Sequence, residues 1–328
     1  MIIHQLIFIE PPVANQLERR NRTVTLQVAE NITDLIGRTP IVRINRLTGP
    51  DDATIYAKLE WYNIGGSVKD RLALYILEYA RTAGRLNSEK TILEATSGNT
   101  GIALAMISAA KGYKIALVMP ESVSTERRRI IKAYGAELIL SPGAKGTAGA
   151  IEMKQNMLKE NPDKYIDVDQ FRDPANILAH YQTTGKEILE QTQGRLDLVV
   201  IGVGTAGTGV GTSLRIRETR PDVKIVGVMP KLGTTVQGLR NPKEPFPTQL
   251  FRREAFDEVV EISEEEKPAS FKTAREAATK EGLLIGMSAG SILYVALKKA
   301  KELGKGKTIV AILPDGGERY WSTPLYGE

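Results

Sequence analysis

Short apolar or β-branched runs, each closed by a glycine or polar turn and followed by a longer amphipathic stretch, set what this chain can fold into. That alternation is the mark of βαβ units and a parallel sheet. Strands are predicted at Ile55–Leu59, Thr91–Glu94, Lys114–Met119, Glu137–Leu140, Leu198–Val203, Lys224–Met229 and Thr308–Leu313. Helices are predicted at Lys69–Ala83, Gly101–Lys111, Ser124–Tyr134, Ala148–Asn161, Ala175–Gln191, Gly209–Arg220, Pro268–Glu281 and Ser291–Leu303. The class is α/β. At 328 residues the chain exceeds the size at which one core keeps growing, so two domains are expected. Residues 1–28 begin apolar, pass through Pro11-Pro12 and turn basic, which reads as an appendage outside the core pattern.

What composition excludes narrows the chemistry. There is no cysteine, so disulfides, thiolate zinc sites and cysteine nucleophiles are ruled out, and His4 and His180 are the only imidazoles; a metal site is not expected. A net charge of +5 from 44 basic and 39 acidic residues, interspersed along the chain, is a weak field that favours small anions over nucleic acid. The longest apolar stretches, such as Leu196–Val203, are too short to span a bilayer, so the expected compartment is the cytoplasm.

Glycine-rich turns follow several of the strands, where open parallel sheets bind ligands. In Lys58–Arg71, KLEWYNIGGSVKDR, a glycine turn leads to Lys69 at the start of a helix, whose dipole favours the uncharged amine. In Glu94–Gly101, EATSGNTG, Thr96, Ser97 and Thr100 with backbone N–H groups can grip a carboxylate, and the Asn99 amide can donate to a phenolate-type oxygen. A helix-capping turn is the simpler alternative there. Gly202–Gly209, GVGTAGTG, follows an apolar strand and suits a phosphate, held by helix N-terminal amides and the Thr205 and Thr208 hydroxyls. Its G-x-G-x-x-G spacing also fits a dinucleotide fold, but the next strand runs into Met229-Pro230 where a ribose-binding carboxylate is expected. Gly282–Ser291, GLLIGMSAGS, places Ser288 before a helix, where an N-cap is the plain reading. Leu313–Thr323, LPDGGERYWST, closes the last strand with a polar turn.

Taken in order, these five motifs resemble the cysteine synthase and cystathionine β-synthase family of fold-type II pyridoxal-phosphate enzymes, over about residues 30–328. The resemblance implies two open-sheet three-layer αβα domains: a smaller mobile one over 54–175, and a larger one from 29–53 and 176–328 carrying the phosphate loop. It implies Lys69 as the Schiff-base lysine and Thr96, Ser97, Asn99 and Thr100 as the substrate-carboxylate loop, with Asn99 also facing the cofactor's 3-oxygen. Gly204, Thr205, Ala206, Gly207 and Thr208 become the phosphate cup, with Ala206 a mild replacement for a frequent glycine. Ser288 falls at the pyridine-nitrogen partner and Gln170 at the substrate pocket. A neutral Ser288 leaves the carbanion less delocalised and favours loss of a β-substituent, giving an aminoacrylate to which a sulfur nucleophile adds.

Members that use O-acetylserine commonly show QGIGAG where this chain reads Val236–Asn241, VQGLRN. Arg240 there suits a phosphate ester, so O-phosphoserine is expected beside O-acetylserine, unless Arg240 is a surface-loop residue. Cystathionine β-synthase, a serine or threonine dehydratase, and a non-catalytic binding subunit are the rival readings. The family resemblance suggests a homodimer acting on small molecules, without nucleic acid or membrane.

Overall fold

The computed structural model describes residues 28–96 and 98–327, so the expected appendage over 1–28 lies outside the described residues except for Val28. β1 (Ile41–Arg43) and β2 (Thr54–Leu59) pair antiparallel, with Ile41 opposite Lys58. The chain then runs through α1 (Lys69–Thr82), β3 (Thr91–Ala95), α2 (Asn99–Lys111), β4 (Lys114–Pro120), α3 (Thr125–Ala133), β5 (Glu137–Ser141), α4 (Gly146–Glu160) and β6 (Tyr165–Asp167). β5-β4-β3-β6 form a parallel four-stranded sheet. There follow α5 (Ala175–Ala179), a π-helical turn (His180–Gly185), α6 (Lys186–Thr192), β7 (Leu198–Gly202), α7 (Gly207–Thr219), β8 (Lys224–Pro230), β9 (Glu258–Ile262), α8 (Lys267–Glu276), α9 (Met287–Leu303) and β10 (Thr308–Leu313). The second sheet has six strands in the order β1-β2-β10-β7-β8-β9, parallel except at β1.

Both sheets are covered on both faces, and alternation along each strand divides the apolar residues between two cores. In β4, Ile115, Leu117 and Met119 pack with α1 and α2, while Ala116 and Val118 pack with Ala150 and Ile151 of α4. In β10, Ile309, Ala311 and Leu313 join the α8 and α9 side, while Val310 and Ile312 join α7.

The expected boundary at residue 54 is corrected: β2 lies in the six-stranded sheet, paired parallel with β10 from Thr54 opposite Thr308 to Leu59 opposite Leu313. A strand pattern carries no label for its partner, and here the partner arrives some 250 residues later in sequence. β1 and β6, three residues each, are too short to show a period, and β9 is flanked and interrupted by glutamates. The predicted helix 175–191 is broken by the π turn where α7 comes close: a Cβ on Gly211 would lie 2.2 Å from the Ile177 carbonyl oxygen.

Candidate active site

Within each sheet parallel strands end on one edge, and the C-terminal ends of β2, β7 and β10 in one sheet and of β3 in the other meet at one cleft. The turn after β2 is built for glycine. Gly65 N–H donates to Asp70 Oδ2 at 2.6 Å, and a Cβ on Gly65 would sit 2.6 Å from Asp70 Oδ1; Gly66 has φ +80°. This turn delivers Lys69 to the first position of α1. Its side chain is half-buried, open to the cavity, while the surrounding walls remove enough water to lower the amine pKa to about 8, against an opposing pull from Asp315. Burial raises the neighbouring Asp70 to about 7.

Lys69, Thr96, Asn99, Thr100, Gln170, Gly204, Thr205 and Arg240 line one cavity of about 520 Å³. Lys69, Asn99, Gly204, Thr208 and Ser288 also line a narrow recess beside it. Ala206 and Gly207 stand behind this wall, and Ser97 lies outside the described residues. Thr100 Oγ1 donates to Gln170 Oε1 at 2.6 Å, which joins the β3 turn to the segment after β6. Asn99 is held on both sides: its Nδ2 donates to Asp315 Oδ2 at 2.7 Å and its Oδ1 accepts from Arg319 Nη1 at 2.6 Å.

The loop from Gly204 to Thr208 leads into α7. Among the described residues no oxygen accepts from its five successive backbone N–H groups. Bulk is excluded around it: a Cβ on Gly204 would lie 2.8 Å from Gly238 O, and one on Gly207 only 1.9 Å from Asn176 Oδ1. Asn176 Nδ2 fixes the loop by donating to Thr205 Oγ1 at 2.9 Å and to Gln170 O at 2.8 Å. Thr208 Oγ1 is 3.2 Å from His180 Nε2, and burial beside the Arg71 and Lys69 cations holds that imidazole well below its usual pKa, hence neutral. The replacement at Ala206 is not neutral: φ is +72°, a left-handed conformation that costs a side-chain-bearing residue roughly 1–2 kcal/mol. Ser288 is not an N-cap either. Gly286 holds that position, α9 starts at Met287, and the buried Ser288 hydroxyl meets no hydrogen-bond partner among the described residues.

Arg240 is buried, not a surface-loop residue. Its guanidinium lies 5.1 Å over the Phe171 ring, donates to Pro245 O and pairs with Glu244 at 3.4 Å, with its pKa lowered by burial. Sequence reasoning missed Arg127, which lines the cavity too, stacks 4.9 Å over Tyr320 and donates to Gln237 Oε1 at 2.5 Å. A signal existed: Arg127, Ile130 and Ile131 share one helix face, and Arg128 and Arg129 do not. Two residues from Lys69, Arg71 is fully buried between Glu60 at 2.7 Å and Glu187 at 2.6 Å, and Glu187 also takes Lys58 at 2.6 Å, tying α1 to β2 and α6.

Around one recess stand a run of backbone donors and a buried hydroxyl, unpartnered among the described residues, and an amine with depressed pKa. A family model described as pyridoxal-phosphate dependent enzyme matches residues 32–315. The chain belongs to that family. The enzyme is similar to a cysteine synthase of Staphylococcus aureus, 42% identical over 309 residues, covering 90% of this chain and 97% of the relative. Among solved structures it resembles an O-ureido-L-serine synthase, with TM-score 0.85 and 39% identity over 91% of this chain and 95% of that one. It also resembles a cysteine synthase from Entamoeba histolytica, with TM-score 0.83 and 39% identity over 93% and 92% of the two chains. The enzyme is therefore a pyridoxal-phosphate dependent, fold-type II catalyst that transfers or replaces groups. Among the described residues no helix is long and apolar enough to cross a membrane.

Proposed function

We propose that the enzyme is a cysteine synthase that replaces the β-substituent of O-phosphoserine or O-acetylserine with sulfide, giving L-cysteine. The observation that carries the reading is the recess itself. Five N–H groups at Gly204–Thr208 and the Ser288 hydroxyl, unpartnered among the described residues, together with the Lys69 amine, match the phosphate, the ring nitrogen and the carbonyl carbon of pyridoxal phosphate. Relatives with this chemistry in their names support the sulfur step.

Gly204, Thr205, Ala206, Gly207 and Thr208 then hold the cofactor's phosphate, Lys69 its carbonyl carbon, Ser288 its ring nitrogen and Asn99 its 3-oxygen. When bound, the cofactor supplies an electron sink for negative charge at Cα. Lys69 takes the Cα proton; an amine with a pKa of about 8 is neutral in about a tenth of molecules at pH 7, far more than an ordinary lysine, and can both accept and return a proton. Thr96, Ser97, Asn99, Thr100 and Gln170 hold the substrate carboxylate, and the 54–175 segment, with β2 excepted, closes over it. Arg240 takes the ester phosphate by exchanging its Glu244 pairing for the stronger charge. Cytoplasmic location and a homodimer complete the reading.

The test supplies each ester with and without sulfide and measures cysteine. Cysteine from O-phosphoserine with sulfide, abolished together with the cofactor's visible band by Lys69→Ala, is the expected result. Arg240→Met is expected to raise KM for O-phosphoserine about tenfold, while leaving O-acetylserine within about threefold. No cysteine from either ester, with cystathionine from serine and homocysteine, would overturn the substrate assignment.

A further inference from the structure

We propose that Asp315, in the polar turn after β10, is a positioning residue of this site, fixing the face of the Asn99 amide and setting a negative charge beside the Lys69 amine. The inference rests on Lys69 and Asn99 facing the cofactor, and deepens that reading by giving work to the one sequence motif it left unused.

Geometry decides the amide. Arg319 can only donate and a carboxylate can only accept, so with Arg319 at 2.6 Å from Oδ1 and Asp315 at 2.7 Å from Nδ2, the reversed amide would set donor against donor and acceptor against acceptor. One Nδ2 hydrogen remains for the recess. Asp315 is itself held firmly: it is fully buried, and Tyr320 OH donates to the same Oδ2 at 2.6 Å. Its backbone bridges to Ser67, in the turn that launches α1, and Arg319 also donates to Gly65 O. Among the described residues Oδ1 has no hydrogen-bond partner, and the space beside it exists only because residue 286 is glycine, on which a Cβ would lie 2.1 Å away.

One cation that senses the Asp315 charge is Lys69. Asp315 raises its pKa against the larger lowering by burial. The other charged or titratable groups around the pair are Asp70 beside Lys69, Arg319, Tyr320 and Tyr326 on the C-terminal segment, Arg127 stacked on Tyr320, and neutral His180 behind Thr208. Without Asp315, burial acts alone and the amine loses its proton at lower pH.

The full-length chain, stripped of cofactor, is acetylated across a pH series and the Lys69 peptide followed by mass spectrometry. Half-maximal labelling is expected near pH 8 for the wild type and roughly one unit lower for Asp315→Asn. Asp315→Ser, which removes charge and bulk together, is expected to shift the same way. Tyr320→Phe, which keeps the charge, is expected to move the midpoint by less than about half that amount. An unchanged midpoint in both Asp315 variants overturns the inference, since loss of a purely structural residue would lower melting temperature without moving it. Retention of the visible band by cofactor-loaded Lys69→Ala would instead overturn the lysine assignment and leave the charge coupling standing.

Discussion

Gly207→Ala tests the loop at the head of α7 by setting helix propensity against packing. Alanine in place of a helical glycine is worth about 1 kcal/mol in favour of the variant. Opposing it, the new Cβ would lie 1.9 Å from Asn176 Oδ1 and 2.4 Å from its Cγ, closer than any real contact, so Asn176 must move. That side chain is fully buried, and its amide donates to Gln170 O at 2.8 Å and Thr205 Oγ1 at 2.9 Å. Losing two neutral hydrogen bonds costs about 2 kcal/mol, and forcing a methyl into a filled site costs about 1–3 kcal/mol. Packing wins, with a net loss of about 2–4 kcal/mol. Urea unfolding followed by circular dichroism reads that loss as a lower midpoint at unchanged slope. Because Asn176 also fixes Thr205, equilibrium titration with pyridoxal phosphate should show affinity weakened at least about tenfold. An equal or higher midpoint with unchanged affinity would refute the reasoning, for it would mean that Asn176 has a second rotamer that keeps both bonds.

Arg71→Met leaves Glu60 and Glu187 buried without their main cation, and is expected to destabilise the protein by about 3–5 kcal/mol in the same unfolding assay. Asp70 gives a pH signature. Its folded pKa of about 7 stands above the ordinary value of 3.8, so the folded state holds the proton longer than the unfolded one. Its contribution is full below pH 4 and is lost as pH rises to about 7, and Asp70→Asn should lose less stability than the wild type between pH 4.5 and 8. Equal losses for the two proteins would show that Asp70 does not titrate in that window.

The central strands were legible because they are covered on both faces, and the apolar runs at Leu198–Gly202 and Thr308–Leu313 carry that requirement in their composition. The glycine turns were legible for a similar reason: glycine meets the φ +80° of Gly66 without strain and leaves room for Gly204 against the Gly238 carbonyl, so the turns announce themselves one residue at a time. β6 and β9 were not, since three residues, or two valines between glutamates, show no period of their own and become strands only through a neighbour's ladder.

By itself the sequence determined the α/β alternation, the glycine turns at the strand ends and the side chains those turns present, Lys69, Asn99 and Thr208 among them. Those features are local, set by backbone sterics and by the short reach of a turn. Only the tertiary structure decided that β2 pairs with β10, that Arg127 and Arg240 are buried on the cavity wall, and that Asp315 reaches Asn99 across 216 positions. Each depends on which distant strand completes a ladder and which charge is left dry beside another. Such energies exist only once the chain has closed, so no local pattern in the sequence records them.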